Sequence, residues 1–194
     1  MRLLQEKIEK EAKYLGNGIL KVDSFMNHQI DPVLMSSIGE EFARRFAGLN
    51  PTRILTAESS GIAPALATGM ILKVPIVFAR KKKPVTMAEK DFRESAKSHT
   101  KGGVVDLVVS SEYLSDSDRV LILDDFLSTA NTINALARLV KASGASLIGI
   151  GAVIEKSFEG GRAALEGIEV PVVSLAIIES LGEEKVVFAN LPAG

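Results

Sequence analysis

The stretch VLILDDFLSTANT, residues 120–132, ends an apolar run with two adjacent carboxylates, followed by a loop of hydroxyls and small residues. Val120–Leu123 are apolar at every position, as in a parallel strand that is covered on both faces. The hydroxyls of Ser128, Thr129 and Thr132 follow where a helix should begin, and the N–H groups of a helix N-terminus attract anions. The stretch therefore predicts a phosphate site at the end of a buried strand.

The two carboxylates, Asp124 and Asp125, restrict the chemistry of that ligand. They would repel a bare anion, so the ligand must also carry hydroxyl donors or a divalent cation. A sugar phosphate with a vicinal diol supplies the hydroxyls, and Mg²⁺ would supply the cation. The alternative is an ordinary acidic loop that caps a helix.

A strand followed by polar residues and a helix recurs from about residue 50 onward. This order is typical of βαβ units, so we predict an α/β fold with a mostly parallel central sheet flanked by helices. Ligands of such sheets bind at the carboxyl ends of the strands. The predicted strands are RILTA (53–57), VPIVFA (74–79), VLIL (120–123) and SLIGIGAVI (146–154).

Polar residues also follow the first two predicted strands. The run ESSG after residue 57 offers hydroxyls and N–H groups ahead of Pro64, a favoured first-turn residue; it is a second anion site or only a helix cap. Arg80 and Lys81 begin a run of four cations, which suits a pyrophosphate or is simply a solvated charge run.

Lys156 and Phe158 follow directly after the last predicted strand. The lysine can donate to a carbonyl, and the phenylalanine can stack on a flat ring. The alternative is a snorkelling lysine beside a core aromatic. Gly149 and Gly151 do not complete a dinucleotide motif, because Ile154 stands where the third glycine should be, and we predict that they are close-packing positions.

Composition excludes several classes of protein. A net charge of −1 does not favour nucleic-acid binding, and the absence of cysteine excludes disulfides, thiolate metal sites and a cysteine nucleophile. The amphipathic start, with Leu4 and Ile8 on one face, predicts a helix rather than a signal peptide, so we expect a cytoplasmic protein. No apolar run is long enough to span a membrane.

The segments around the predicted sheet complete a single domain over residues 1–194. Residues 1–48 and 165–194 are predicted to form a small hood beside the ligand edge. Residues 84–112 are polar and weakly patterned apart from VVDLVV, and we predict a mobile lid loop there. His28 and His99 are expected on the surface or in the lid.

Together these residues resemble the type I phosphoribosyltransferases, and among them the bacterial xanthine phosphoribosyltransferases. The resemblance covers nearly the whole chain. The segments that carry it, besides VLILDDFLSTANT, are LKVDSFMNHQIDP (20–32), ESSGIAPA (58–65), PIVFARK (75–81) and GIGAVIEKSF (149–158).

The resemblance implies a type I phosphoribosyltransferase fold, transfer of a ribosyl phosphate from phosphoribosyl pyrophosphate to N9 of xanthine, and a homodimer. It implies Mg²⁺ held by the substrate, with no direct protein ligand and with Asp124 and Asp125 reaching it through water. The implied catalytic residues are Asp124, Asp125, Arg80 and Lys81. Phosphoribosyl pyrophosphate would contact Ser128, Thr129, Ala130, Asn131, Thr132, Glu58, Ser59 and Ser60. Xanthine would contact Leu20, Asn27, Lys156, Phe126 and Phe158.

Two positions depart from the family pattern. Ala130 stands where glycine is usual, and a non-glycine residue with left-handed dihedrals costs roughly 1–2 kcal/mol; either the dihedrals are ordinary or the phosphate lies slightly higher. Ser128 replaces the acid that related hypoxanthine and guanine enzymes use near the purine. A serine cannot act as that base, which favours the more acidic xanthine.

Three alternatives stay open at this point. Asn27 can donate to the C2 oxygen of xanthine or can cap a helix. Guanine or hypoxanthine transfer is the nearest alternative reaction, because these bases share the carbonyl that Lys156 would bind. A phosphoribosyl pyrophosphate-sensing regulator is less favoured, since no basic recognition helix precedes residue 53.

Overall fold

The computed structural model describes residues 1–83, 90–97, 103–182 and 185–189. The α-helices in these ranges are α1 (Arg2–Glu11), α2 (Pro32–Phe46), α3 (Ile62–Leu72) and α4 (Asn131–Ser143). The first five strands are β1 (Lys13–Tyr14), β2 (Leu20–Lys21), β3 (Arg53–Ala57), β4 (Ile76–Ala79) and β5 (Asp91–Lys97). The other five are β6 (Val104–Ser110), β7 (Arg119–Leu127), β8 (Ser146–Lys156), β9 (Val172–Leu181) and β10 (Val186–Phe188).

A six-stranded sheet in the order β10-β9-β8-β7-β3-β4 forms the centre of the molecule. Its strands pair in parallel except for the antiparallel edge pair β9 and β10. The polar ends of β3, β4, β7 and β8 therefore lie along one edge of the sheet, as the βαβ pattern predicts. This arrangement confirms the predicted α/β fold with its mostly parallel sheet.

Alternating residues of the central strands bury two separate apolar clusters, one on each face of the sheet. Leu121 and Leu123 belong to the cluster that α1 and α2 cover, whereas Val120 and Ile122 belong to the cluster that α4 covers. Burial on both faces explains why β7 is apolar at every position of its first half. The predicted N-terminal helix is confirmed as α1, with Leu4 and Ile8 buried.

Glycines in β8 let α2 lie close to the sheet. A side-chain Cβ on Gly151 would lie 2.5 Å from Leu123 Cδ2 and 2.8 Å from Phe42 Cε1. One on Gly149 would lie 3.0 Å from Phe46 Cε1. The prediction that both glycines are close-packing positions is confirmed.

The strand β7 extends further than its apolar run. Asp124 and Asp125 were expected where the strand meets water, but β7 continues to Leu127 and pairs with β8 as far as Glu155. Asp124 is consequently buried rather than exposed at a strand end. Pairing with β8 therefore extends β7 four residues beyond the predicted end at Leu123.

The predicted hood is partly wrong. Residues 165–194 were assigned to it, but β9 and β10 are strands of the central sheet, because their apolar residues pack on the same cluster as α1. Within residues 1–48, α2 also does not belong to a separate hood, because it packs against α3 and β8 as one of the helices that flank the sheet. Residues 183–184 and 190–194 lie outside the described ranges.

The predicted lid is also not wholly a loop. In residues 84–112, β5 and β6 form an antiparallel hairpin, and Arg80 and Val108 exchange backbone hydrogen bonds that attach it to β4. Arg138 of α4 donates to Glu94 at 2.7 Å and to the Ser95 carbonyl at 3.0 Å. The parts at 84–89 and 98–102, including His99, lie outside the described residues. Among the described helices, none has the length and hydropathy needed to cross a bilayer.

Candidate active site

A cavity of about 900 Å³ opens at the carboxyl edge of the sheet, between the strand ends, the N-terminal segment and the β5–β6 hairpin. It brings together fourteen of the residues expected at the site. They are Leu20, Asn27, Glu58, Ser60, Lys81, Asp124, Asp125, Phe126, Ser128, Thr129, Ala130, Asn131, Thr132 and Lys156.

The loop from Ser128 to Thr132 leads from β7 into α4 along one side of this cavity. Ala130 adopts φ 61° and ψ 11°, a left-handed conformation, directly before the first helical residue. The dihedrals are therefore not ordinary, and the alanine carries the strain expected for a non-glycine residue at this position. Among the described residues no side chain caps α4, so its first N–H groups are open to a ligand.

The two carboxylates differ in their surroundings. Asp124 is 6% exposed and accepts the Asp125 N–H at 3.0 Å, whereas Asp125 is half-buried. Burial, and secondly the charge of Asp125, raises the pKa of Asp124 well above its ordinary value. A ligand that brings hydroxyl donors or positive charge to this pair would relieve that unfavourable environment.

The strand ends of β3 and β4 meet at a second polar part of the cavity. Glu58 accepts the Lys81 N–H at 2.7 Å, and its other oxygen lies 3.8 Å from Arg80 Nε. Glu58 therefore fixes the backbone of the cationic run. Lys81 and Lys82 both line the cavity, which makes this end electropositive.

The opposite end of the cavity contains Lys156, which is 5% exposed. Its ammonium donates to the Gly18 carbonyl at 3.0 Å, pairs with Glu159 at 2.5 Å and lies 5.8 Å from the centre of the Phe126 ring. A lysine held by two acceptors still has a third N–H to donate. This end of the cavity therefore combines a fixed hydrogen-bond donor, Lys156, with the aromatic surface of Phe126.

The structure does not bring three of the expected side chains to the cavity wall. Ser59 is exposed, and Arg80 lies over the Phe78 ring at 5.7 Å instead of lining the cavity. Phe158, 46% exposed, is carried away by the turn Ser157–Glu159 that follows β8. The aromatic residue at the cavity is Phe126.

Asn27 does not cap the following helix. It ends a short π-helical turn, Asp23–Asn27, and is exposed at the cavity, while Asp31 caps α2 by accepting the N–H groups of Val33 and Leu34. The capping alternative is therefore wrong, and the Asn27 amide is available to a ligand. His28 is exposed, as predicted.

Sequence reasoning missed one wall of the cavity. Residues of the β5–β6 hairpin line it, namely Ala96, Val104, Val105, Asp106 and Leu107. Asp106 accepts the Ser95 hydroxyl across the hairpin at 2.8 Å. The β-branched residues of VVDLVV were the available signal for a strand, but nothing in the sequence shows which strand end that strand faces.

Comparison with known proteins matches residues 33–169, which is more than half of the chain, to the phosphoribosyl transferase domain. The chain belongs to the phosphoribosyltransferase family. This assignment confirms the resemblance inferred from the strand-end motifs, and it places the open helix N-terminus and the acidic pair inside the matched region.

Relatives of known name match almost end to end. Xanthine phosphoribosyltransferase of Deinococcus deserti is 52% identical over 94% of this chain and 95% of its own length. The enzyme of the same name from Moorella thermoacetica is 50% identical over 98% and 97%, respectively.

Solved structures agree with the fold. Adenine phosphoribosyltransferase of Thermoanaerobacter pseudethanolicus, 26% identical, superposes with a TM-score of 0.71 over 90% of this chain and 98% of that chain. The Trypanosoma brucei enzyme, in complex with AMP, pyrophosphate and ribose-5-phosphate, has a TM-score of 0.74 at 24% identity, over 90% and 78%. The type I phosphoribosyltransferase fold is thereby confirmed.

Proposed function

We propose that the protein is a purine-salvage pentosyltransferase that transfers the 5-phosphoribosyl group from phosphoribosyl pyrophosphate to xanthine. The C1–O bond to pyrophosphate breaks, a bond from C1 to N9 of the base forms, and the N9 proton leaves the base. The products are xanthosine 5′-monophosphate and pyrophosphate. One observation carries the proposal: an uncapped helix N-terminus, an acidic pair and a fixed lysine line one cavity, in a chain about half identical to enzymes of that name.

The 5′-phosphate would bind at residues 128–132. The open N–H groups at the start of α4 and the hydroxyls of Ser128, Thr129 and Thr132 supply donors for its oxygens. The ribose hydroxyls would donate to Asp124 and Asp125, which replaces the repulsion between two neighbouring carboxylates by hydrogen bonds to both.

The pyrophosphate would lie toward the ends of β3 and β4, where Ser60, Lys81 and Lys82 line the cavity. Negative charge grows on this leaving group as the C1–O bond breaks, so fixed cations and N–H groups stabilise the transition state more than the ground state. Glu58 contributes by holding the Lys81 backbone in place.

The donor set around this position fits Mg²⁺ that is bound mainly by substrate and water. The described residues contain no group of three or more potential metal ligands, and the acidic pair offers carboxylate oxygens at the place where the ribose would lie. When bound, Mg²⁺ would neutralise pyrophosphate charge. Asp124 and Asp125 would hold its water ligands.

The base would lie between Phe126 and the N-terminal segment. The third N–H of Lys156 would donate to the C6 oxygen, and the Asn27 amide would donate to the C2 oxygen, which guanine lacks. Ser128 lines the cavity but cannot accept a proton as a base. A substrate that releases its ring proton readily compensates for this, and xanthine is more acidic than guanine or hypoxanthine.

The β5–β6 hairpin would cover the reacting groups. Water competes with the purine for C1, so apolar residues such as Val105 and Leu107 in the wall of the same cavity favour transfer over hydrolysis. Movement of residues 84–112 as a lid during turnover remains part of this proposal.

We further propose that the protein acts in the cytoplasm as a homodimer. Leu66, Met70 and Ile71 leave an apolar face of α3 exposed, with Met70 at 72%, as expected of a surface that a second copy covers. Arg80, unlike Lys81 and Lys82, lies outside the cavity of its own chain, and we propose that it reaches the cavity of the partner.

The test is pyrophosphate release with phosphoribosyl pyrophosphate and Mg²⁺, measured in parallel with xanthine, guanine, hypoxanthine and adenine. The double variant Asp124→Asn, Asp125→Asn should lose activity with every base. Asp116→Asn changes an exposed carboxylate elsewhere on the surface and should retain activity.

Each outcome decides between the alternatives. Preference for xanthine supports the assigned roles of Asn27 and Ser128. Preference for guanine or hypoxanthine keeps the reaction and rejects those two roles. If none of the four bases causes pyrophosphate release and the protein binds DNA specifically, the phosphoribosyl pyrophosphate-sensing regulator is favoured instead.

A further inference from the structure

The segment after β8 lies directly behind the loop of residues 128–132. Gly161 is buried there, and a Cβ on it would lie 2.2 Å from the Ser128 carbonyl oxygen and 2.9 Å from Leu127 Cδ1. Its φ lies outside the left-handed region, so the conformation does not require glycine. The requirement is for space, because the backbone of this segment touches the Ser128 peptide group.

The orientation of that peptide group decides where the next N–H points. In a planar trans peptide, the carbonyl and the following N–H point in opposite directions. The Ser128 carbonyl faces Gly161, so the Thr129 N–H points away from Gly161, and Thr129 itself lines the cavity. Within the described part of the chain, no acceptor takes this N–H.

An ion pair between Arg162 and the buried Glu155 holds the segment in place. Glu155, 1% exposed, receives two hydrogen bonds from Arg162, at 2.9 Å and 2.5 Å, and a third from the Ser174 hydroxyl at 2.6 Å. Arg162 also donates to the Val172 carbonyl at 3.1 Å. Glu155 pairs with Leu127, the last residue of β7, so this network begins where the loop begins.

A second set of contacts fixes the far side of the segment. Asn134 of α4 donates to the Ala164 carbonyl at 3.2 Å, and Leu165 is buried in the cluster under α4. Gly161 therefore lies between two anchored points, and a shift of the segment would break the hydrogen bonds of Arg162 and Asn134 that hold them.

We propose that Gly161 is a positioning residue, held by the Glu155–Arg162 pair, that turns the Thr129 N–H toward the phosphate of the substrate. This inference rests on the proposed function, because it assigns the ligand of that N–H as the 5′-phosphate. A side chain at position 161 would push the Ser128 carbonyl toward the cavity and rotate the N–H away from the anion. The base end of the cavity, around Lys156, would not change.

The test compares Gly161→Ala with Gly167→Ala, whose Cβ would have no atom within 4 Å. A charge-assisted hydrogen bond to a phosphate is worth about tenfold or more in affinity. Gly161→Ala should therefore raise the KM for phosphoribosyl pyrophosphate at least about tenfold, with the KM for xanthine changed less than about twofold. Gly167→Ala should match the parent chain in both.

A second pair of variants covers the case in which Gly161→Ala does not fold. Arg162→Gln releases the segment without adding atoms to it and should raise the KM for phosphoribosyl pyrophosphate. Arg162→Lys keeps the positive charge and should raise that KM less. Unchanged KM for phosphoribosyl pyrophosphate in folded Gly161→Ala and Arg162→Gln would overturn the proposal. An equal rise in both KM values would also overturn it, because only a general structural role predicts that.

Calorimetric binding of ribose 5-phosphate separates this inference from the proposed function. If the parent chain binds ribose 5-phosphate without any turnover, the proposed function fails, and weaker binding by Gly161→Ala than by Gly167→Ala still supports the inference. If the parent turns over normally and both glycine variants bind equally, the inference alone fails.

Discussion

Replacing Asp124 by asparagine should make the protein more stable and inactive at once. The carboxylate is 6% exposed and, among the described residues, accepts a single hydrogen bond, from the Asp125 N–H. An asparagine of the same shape keeps that acceptor and can donate its amide to the Asp125 carboxylate. The substitution removes a charge from a buried place beside a like charge, whereas the proposed substrate requires that charge.

The size of the effect follows from the environment of the carboxylate. A buried polar group without sufficient partners costs about 1–3 kcal/mol. We therefore expect Asp124→Asn to raise the free energy of unfolding at pH 7.5 by about 1–3 kcal/mol. For a chain of this size, each kcal/mol corresponds to about 2–4 °C in Tm.

The effect should depend on pH in a defined direction. Burial, followed by the charge of Asp125, raises the pKa of Asp124 above its ordinary 3.8. At pH values between 3.8 and the raised pKa, the folded chain therefore holds a proton that the unfolded chain has released. The parent chain therefore loses stability as pH rises from about 3.8 through the raised pKa, and the variant does not. The advantage of Asp124→Asn should grow with pH over that interval and then stay constant.

The assay is urea unfolding of both proteins, without substrate or Mg²⁺, at several values between pH 4.5 and pH 8. Asp116→Asn is the matched control and should show no such trend. A variant that is less stable than the parent at pH 7.5, or a difference that does not vary with pH, would show that the buried Asp124 carboxylate does not destabilise the fold.

Three other predictions concern packing, acid stability and assembly. Gly151→Ala should lower the free energy of unfolding by about 1–3 kcal/mol in urea titrations, because its methyl would collide with Leu123, while Gly48→Ala should be neutral since no atom lies within 4 Å. Hydrogen bonding by Arg44 lowers the pKa of Glu41 to about 2. Stability from Glu41 is therefore present above its unfolded pKa of 4.5 and lost as pH falls toward about 2, so Glu41→Gln should be less stable at pH 7 and equal to the parent at pH 2, measured by circular dichroism. Met70→Glu should convert the proposed dimer to monomers in sedimentation velocity, and an unchanged sedimentation coefficient would place the dimer interface elsewhere.

Much of the fold and of the site could be predicted from local pattern. A run that is apolar at every position requires cover on both faces, and polar residues after several such runs must meet at one edge of a parallel sheet. This reasoning correctly placed Asp124, Lys156 and residues 128–132 around one cavity. The close packing of Gly149 and Gly151 also followed, because no helix signal comes after them.

The errors have a common physical origin in long-range pairing. Residues 172–181 are a strand of the central sheet because β8 and β10 offer partners on both sides, and periodicity cannot show that. Residues 104–107 line the cavity because Arg80 pairs with Val108, which lies far along the chain. Phe158 leaves the cavity because the chain turns immediately after β8, whereas Phe126 enters it because β7 continues beyond its apolar run.

Hydrophobic period and local order along the chain are enough to predict the type of sheet, the edge that carries the chemistry and the residue types available there. The burial of Asp124, the left-handed backbone of Ala130 and the contact between Gly161 and the Ser128 carbonyl become visible only in the folded molecule. These three properties arise where segments distant in sequence are packed together, and a local pattern contains no information about the space between such segments.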